Sequence, residues 1–201
     1  LVRRTKLAQE VKRLAVAGTG VMGSGIAQIA AQAGIAVQLF DAQPGAAQKC
    51  KATLETTLAR LVDKGKLSAG QRDAAVANLS VAAELSELAA CDVVIEAVVE
   101  KLEVKRELFR QLETVVSPEC VLATNTSSLS VTAIAAACEH PQRVAGYHFF
   151  NPVPLMRIVE VIDGLLTDPN VTDALMALSK RMGHTAVRCQ DTPGFIVNHA
   201  G

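Results

Sequence analysis

The chain has 201 residues, half of them hydrophobic and a fifth charged, with 20 Lys and Arg balanced by 20 Asp and Glu. That apolar share supports a folded core and argues against disorder, and the length suits one large domain or one domain with a small appendage. Zero net charge removes any general electrostatic reason to bind nucleic acid or a membrane surface, and no apolar run approaches the ~20 residues of a bilayer span. The opening residues 1–12 form a polar, basic leader without the apolar centre of a signal peptide. Cys50, Cys91, Cys120, Cys138 and Cys189 have neither metal-ligand nor redox-motif spacing, so no metal is expected and the thiols are expected to pack as small hydrophobes in a reducing, cytoplasmic setting.

In chain order, residues 14–17 read as a buried strand, 21–33 as an alanine-rich helix and 37–40 as a second strand ending at Asp41. Residues 45–77 are too long for one crossover helix. Leu54, Leu58, Leu61 and Val62 make an apolar stripe, Gly65 interrupts, and Ser68 can cap a second helix, so a helical pair projecting from the sheet is expected. The pair carries six basic residues, Lys49, Lys51, Arg60, Lys64, Lys66 and Arg72, against Glu55, Asp63 and Asp73. A solvated face explains that surplus, and so does a site for an anionic ligand. Strands follow at 92–97, 121–124 and 144–149, with helices at 102–116 and 130–137, and then strands at 157–162 and 185–189 around a helix at 168–182. The alternation gives an α/β fold, a mostly parallel sheet with helices on both faces and added C-terminal strands.

Gly18-Thr19-Gly20-Val21-Met22-Gly23 is a GxGxxG loop placed between a strand and a helix, the context in which that motif binds a dinucleotide in a Rossmann-type domain. The first glycine permits the turn, the second admits the pyrophosphate to the backbone, and the third allows helix and strand to pack closely. Asp41 lies 18 residues beyond Gly23, at a strand end, where a carboxylate accepts ribose hydroxyls and repels a 2′-phosphate. NAD is therefore expected over NADP.

Among the histidines, His140 reads as superficial, His184 as a cation at a helix end and His199 as nearly terminal. His148 differs, because it sits in Gly146-Tyr147-His148-Phe149-Phe150-Asn151-Pro152, at a strand end among apolar neighbours. Glu160 lies in the apolar run 158–162, and a carboxylate buried there needs a partner. The turn at Pro152–Pro154 can bring the two strands together. A His–Glu pair fixes the imidazole tautomer and makes a general base for an alcohol proton. A structural histidine beside an outward glutamate is the alternative. Asn125-Thr126-Ser127-Ser128 follows a strand, where it can orient a ligand, cap the next helix or do both. Glu100 and Lys105, taken by themselves, read as a solvated pair.

Together the stretches VAGTGVMGSGIAQ, DVVIEAVVEKLEVK, ATNTSSLS, GYHFFNPVPLMRIVEV and DTPGFIVN strongly resemble the NAD-binding domain of L-3-hydroxyacyl-CoA dehydrogenases. The likeness is strongest to bacterial members acting on 3-hydroxybutyryl-CoA or, in phenylacetate breakdown, 3-hydroxyadipyl-CoA. The resemblance implies reversible NAD-dependent oxidation of an (S)-3-hydroxyacyl-CoA to the 3-ketoacyl-CoA. It makes His148 the base, Glu160 its electrostatic partner, Ser127 a neighbour of the substrate hydroxyl and the nicotinamide, and Asn198 a holder of the substrate carbonyl. It assigns Gly18, Gly20, Val21, Met22, Gly23, Asp41, Glu100, Lys105, Ser127 and Asn151 to the cofactor, and Lys64 with Thr57 to coenzyme A.

The family continues after PGFIVN into a helical domain that closes over the acyl-CoA and makes most of the dimer contact. The expected organisation is a leader over residues 1–12, an NAD-binding domain over 13–189 and, over 190–201, the start of a helical domain that lies outside this piece of a homodimeric parent. A fragment so organised should bind NAD and turn over poorly alone. Two other readings remain at this stage: another NAD-linked β-hydroxyacid dehydrogenase, and a non-catalytic or structural relative that kept the fold.

Overall fold

The computed structural model describes residues 11–195. The leader up to residue 10 and the end from residue 196, including Asn198 and His199, lie outside the described residues. One eight-stranded sheet organises the rest, in the order β3-β2-β1-β4-β5-β6-β7-β8. Its strands are β1 (Arg13–Ala17), β2 (Ala36–Phe40), β3 (Leu79–Val81), β4 (Val93–Glu96), β5 (Val121–Thr124), β6 (Val144–Phe149), β7 (Ile158–Asp163) and β8 (Thr185–Gln190). Neighbours from β3 through to β6 run parallel, β7 turns antiparallel to β6, and β8 runs parallel to β7. The order reverses between β1 and β4, and a crevice opens at the carboxyl ends of strands on either side of such a switch.

Alternation along each strand divides the core into two layers. Leu14, Val16, Val37, Leu39, Val93, Ile95, Tyr147, Phe149, Val159 and Val161 face one side. There they meet α1 (Val21–Gln32), α2 (Ala46–Asp63) and α6 (Pro169–Arg181). Ala15, Ala17, Val94, Leu122 and Val144 face the other side, against α4 (Leu102–Val115), α5 (Val131–Ala135) and the 3-10 turn Leu85–Ala90. All five cysteines are free and buried, four in these layers and Cys189 in a small cluster with Val131, Ile162 and Phe195, and burial pushes the Cys120 thiol up to about 12.

The strands fall where the sequence places them, with one addition. β3 is only three residues long and follows directly on α3 (Ala69–Ala77), so no alternating pattern could accumulate. The paired helices α2 and α3 are present, with Ser68 and Gln71 closing a reciprocal cap at the start of α3. Their far end, residues 63–66 and 68–71, is exposed, while their near end packs on the sheet. Ala47, Cys50, Leu54 and Leu58 of α2 are buried in the same cluster as Leu39 and Leu79, and Ala75 of α3 joins them. The buried stripe therefore begins about two turns earlier than the leucines alone suggest, on small residues that carry little apolar signal. The expected helix at 130–137 is shorter, α5, and Ser130 is its cap, assisted by Asp191, so Asn125–Ser128 are not spent on capping.

Candidate active site

The glycine loop joins β1 to α1. Gly18 has φ +101°, and a Cβ there would lie 2.6 Å from the Ala97 carbonyl oxygen; one on Gly23 would lie 1.8 Å from the Gly18 carbonyl oxygen. Both positions exclude a side chain for the protein's own packing. At Gly20 a Cβ would meet nothing within 4 Å, so the bare backbone there is open to a ligand. Gly20 is also the N-cap of α1 and provides no side-chain cap, which leaves the helix's positive end facing the crevice. Asp41 follows β2 directly. Its Oδ2 accepts the Thr19 N–H and the Thr19 hydroxyl, both at 2.8 Å, and its Oδ1 accepts the Gln43 N–H at 2.9 Å. Partial burial acts to raise its pKa, but the bonds from Gln43 and Thr19 outweigh burial and hold the carboxyl below the usual carboxylate range. Asp41 is thus a fixed anion at the edge of the loop. These features suit an adenine dinucleotide without a 2′-phosphate.

Beyond the loop lies a cleft of about 310 Å³. It gathers Met22, Glu100, Lys105, Ser127, His148 and Asn151, six of the residues singled out from the sequence, together with Asn125 and Phe150. The antiparallel register sets His148 opposite Glu160, and the two side chains meet with Nδ1 2.8 Å from Oε2. Glu160 is 1% exposed as a side chain and His148 12%, so the acid is sealed in while the imidazole reaches the cleft. With Nδ1–H donated to the carboxylate, Nε2 presents its lone pair. The imidazole is flanked by the rings of Phe150 and Phe195, at centroid distances of 4.5 and 5.8 Å. The side-chain oxygen of Asn125 accepts the Phe149 N–H at 2.9 Å and ties the loop after β5 to the end of β6.

Lys105 is not the solvated partner of Glu100. It is buried, and its Nζ lies 2.6 Å from Glu96 Oε2 but 3.9 Å from Glu100. Glu96, fully buried at the end of β4, also accepts the Thr124 hydroxyl at 2.7 Å and the Val98 N–H at 2.8 Å. Glu100 is held instead by the Thr126 hydroxyl. The sequence signal for Glu96 was present in Val-Val-Ile-Glu: a carboxylate at the end of a strand otherwise wholly apolar demands a buried partner.

Other candidates lie elsewhere. Thr57 donates its hydroxyl to the Thr53 carbonyl within α2, and Lys64 is the exposed C-cap of that helix; neither lines the cleft. His140 is exposed as expected. His184 does sit at a helix end, but buried, with its two ring nitrogens 3.3 Å from the Met182 carbonyl oxygen and 3.1 Å from that of Val153, a tie between α6 and the turn after β6. A larger hollow of about 440 Å³ beside Arg110, Glu113 and Arg143 is lined by His140 but by none of the residues assigned to catalysis, cofactor or substrate. No group of three or more His, Cys, Asp or Glu among the described residues could hold a metal ion, and no described helix is long and apolar enough to cross a membrane.

Comparison with known proteins places this geometry. Residues 13–192 match the family model for the NAD binding domain of 3-hydroxyacyl-CoA dehydrogenase. The chain belongs to the 3-hydroxyacyl-CoA dehydrogenase family, in its NAD-binding domain. It is 46% identical over 189 residues to a probable 3-hydroxybutyryl-CoA dehydrogenase of Bacillus subtilis, covering 94% of this chain and 66% of that protein. It is also 46% identical over 188 residues to 3-hydroxyadipyl-CoA dehydrogenase of Escherichia coli, covering 94% of this chain and 40% of that one. A crystal structure of 3-hydroxybutyryl-CoA dehydrogenase from Escherichia coli superposes with a TM-score of 0.92 at 46% identity, over 94% of this chain and 40% of that chain. This 3-hydroxyacyl-CoA dehydrogenase domain thus spans between two fifths and two thirds of the length of these relatives, and its cofactor is NAD.

Proposed function

We propose that this domain belongs to an enzyme that reversibly oxidises an (S)-3-hydroxyacyl-CoA to the 3-ketoacyl-CoA, with His148 as general base and Glu160 as its electrostatic partner. One observation carries the proposal: the imidazole paired at 2.8 Å with a buried carboxylate opens onto the cleft that also gathers the cofactor candidates. Gly18, Gly20, Val21, Met22, Gly23 and Asp41 would hold the adenosine and pyrophosphate, and Glu100, Lys105, Ser127 and Asn151 the nicotinamide half. NAD, when bound, supplies the hydride acceptor. His148 Nε2 takes the proton of the 3-hydroxyl, and the Glu160 carboxylate stabilises the imidazolium that results. Returning that proton to the carbonyl oxygen serves the reverse reaction. Phe150 and Phe195 confine the ring and exclude water from its faces. A positioned base of this kind contributes about 10²–10⁴-fold to rate.

The relatives named for 3-hydroxybutyryl-CoA and 3-hydroxyadipyl-CoA support an acyl-CoA substrate. Asn198 is proposed to hold its carbonyl, and Lys64 with Thr57 to meet the coenzyme A moiety. The division at residues 13–189, with a helical domain following and the parent a homodimer, belongs to the same proposal. Efficient turnover is therefore expected of the complete polypeptide and not of this domain alone. The test is NADH oxidation by the complete polypeptide with acetoacetyl-CoA. Saturable turnover that is absent with free 3-ketobutyrate supports the proposal. NADH binding with no turnover on any 3-ketoacyl-CoA would replace it with a non-catalytic role.

A further inference from the structure

The carboxylate of Glu96 has no place in the proposed chemistry, yet it is the most enclosed charge beside the cleft. Its side chain is 0% exposed, and its ion partner Lys105 is 1% exposed at 2.6 Å. Every hydrogen bond around it points the same way. Thr124 from β5 holds Oε1, while Val98 N–H and Lys105 share Oε2. The Val98 carbonyl closes a ring by accepting from Lys105 at 3.3 Å. The ammonium thereby commits two of its three protons, with Glu100 too distant for a hydrogen bond at 3.9 Å. Lys105, Glu100 and His148 line one cleft. Charge counting follows: Glu96 and Glu100 against Lys105 leave the cluster with one net negative charge, and without Glu96 the lysine would be balanced by Glu100 alone.

We infer that Glu96 is a positioning residue that acts through Lys105, holding its ammonium in place and neutralised so that the cleft favours the positively charged nicotinamide of NAD⁺ over the neutral ring of NADH. Resting on the cofactor assignment and on the placement of Lys105 beside the nicotinamide half, and not on the acyl-CoA chemistry, it is testable by binding even if turnover with acetoacetyl-CoA fails. The observable is the ratio of the dissociation constants for NAD⁺ and NADH, a quantity that simple loosening of the fold would leave in place while both affinities fell together.

The variant Glu96→Gln keeps the shape and removes the charge. Its NAD⁺ dissociation constant, measured by calorimetry, is expected to rise at least about tenfold, with that for NADH moving less than about threefold. In the double variant Glu96→Gln/Lys105→Met the cluster returns to a single negative charge; both affinities are expected to fall with the loss of the Lys105 contact, and their ratio to lie within about threefold of the parent's. A Glu96→Gln ratio equal to the parent's, or a double-variant ratio displaced as far as that of Glu96→Gln, overturns the inference. If Glu96→Gln does not fold, the double variant is compared with Lys105→Met, which differs from it by the Glu96 charge alone: a ratio shifted toward NAD⁺ in Lys105→Met supports the inference, and equal ratios overturn it.

Discussion

The sheet buries two glutamates on the same face, Glu96 on β4 and Glu160 on β7, and gives each a basic partner within 2.8 Å. The partners differ. Lys105 is a flexible amine sealed at 1% exposure, whereas His148 is a planar ring left 12% exposed at the cleft wall. The first pair is closed on itself by the Thr124 hydroxyl and the Val98 N–H and carbonyl, and so holds β4, β5 and the following helix together. The second commits one ring nitrogen to its carboxylate and leaves the ring part-exposed in the cleft lining, where a ligand can meet it. One arrangement, a buried acid and a base on neighbouring elements, is thus built as a scaffold at Glu96 and, under the proposed function, as a reactive centre at Glu160.

Breaking the pairs separates these roles, and the largest effect on stability is expected at the sealed one. Glu96→Ala leaves a buried ammonium without its acid, and should lower unfolding free energy by about 3–5 kcal/mol in urea denaturation. Glu160→Ala removes one hydrogen-bond partner from a part-exposed imidazole, and should cost about 1–3 kcal/mol on the same measurement. In turnover by the complete polypeptide the order reverses, with Glu160→Ala expected to lose about 10²-fold in kcat. Equal stability losses at the two sites would remove the distinction drawn here.

A smaller effect is expected at Asp191, which caps α5 by accepting from Ser130 Oγ, Val131 N–H and Thr132 N–H at 2.8–2.9 Å and so ties down the segment that carries Phe195 to His148. Burial acts to raise the pKa of Asp191, but the bonds from Thr132, Ser130 and Val131 prevail and hold it below the usual range. The stability that its charge confers is therefore complete above the unfolded value near ~4 and is lost as pH falls through the lower folded value. Asp191→Asn should cost about 1–2 kcal/mol at neutral pH, and its denaturation midpoint should converge on the parent's as the pH drops below about 4. A pH-independent gap would assign the loss to shape instead of charge.

The two pairs also differ in how far the sequence announced them. His148 and Glu160 stood out because a titratable residue at a strand end and an acid in an apolar strand, joined by a proline turn, imply one another. Glu96 carried the same signal, but its partner lay on a helix, and nearness in sequence suggested Glu100 for Lys105. Which of two acids a lysine reaches is decided by how the helix packs on the sheet, and no local pattern encodes that. The same limit hid β3, too short to alternate, and the packing of α2, whose first contacts are made by Ala47 and Cys50. The glycine loop was legible in full, because steric exclusion at Gly18 and Gly23 and openness at Gly20 are properties of the residues themselves.

The central claim is that His148 moves the proton and does not hold the cofactor. Its most direct test is His148→Gln in the complete polypeptide, with kcat for acetoacetyl-CoA reduction and the NADH dissociation constant measured on the same preparation. The account predicts a fall in kcat of about 10³-fold or more with NADH affinity within about threefold of the parent. Retained turnover, or a loss of NADH binding as deep as the loss of rate, would contradict it.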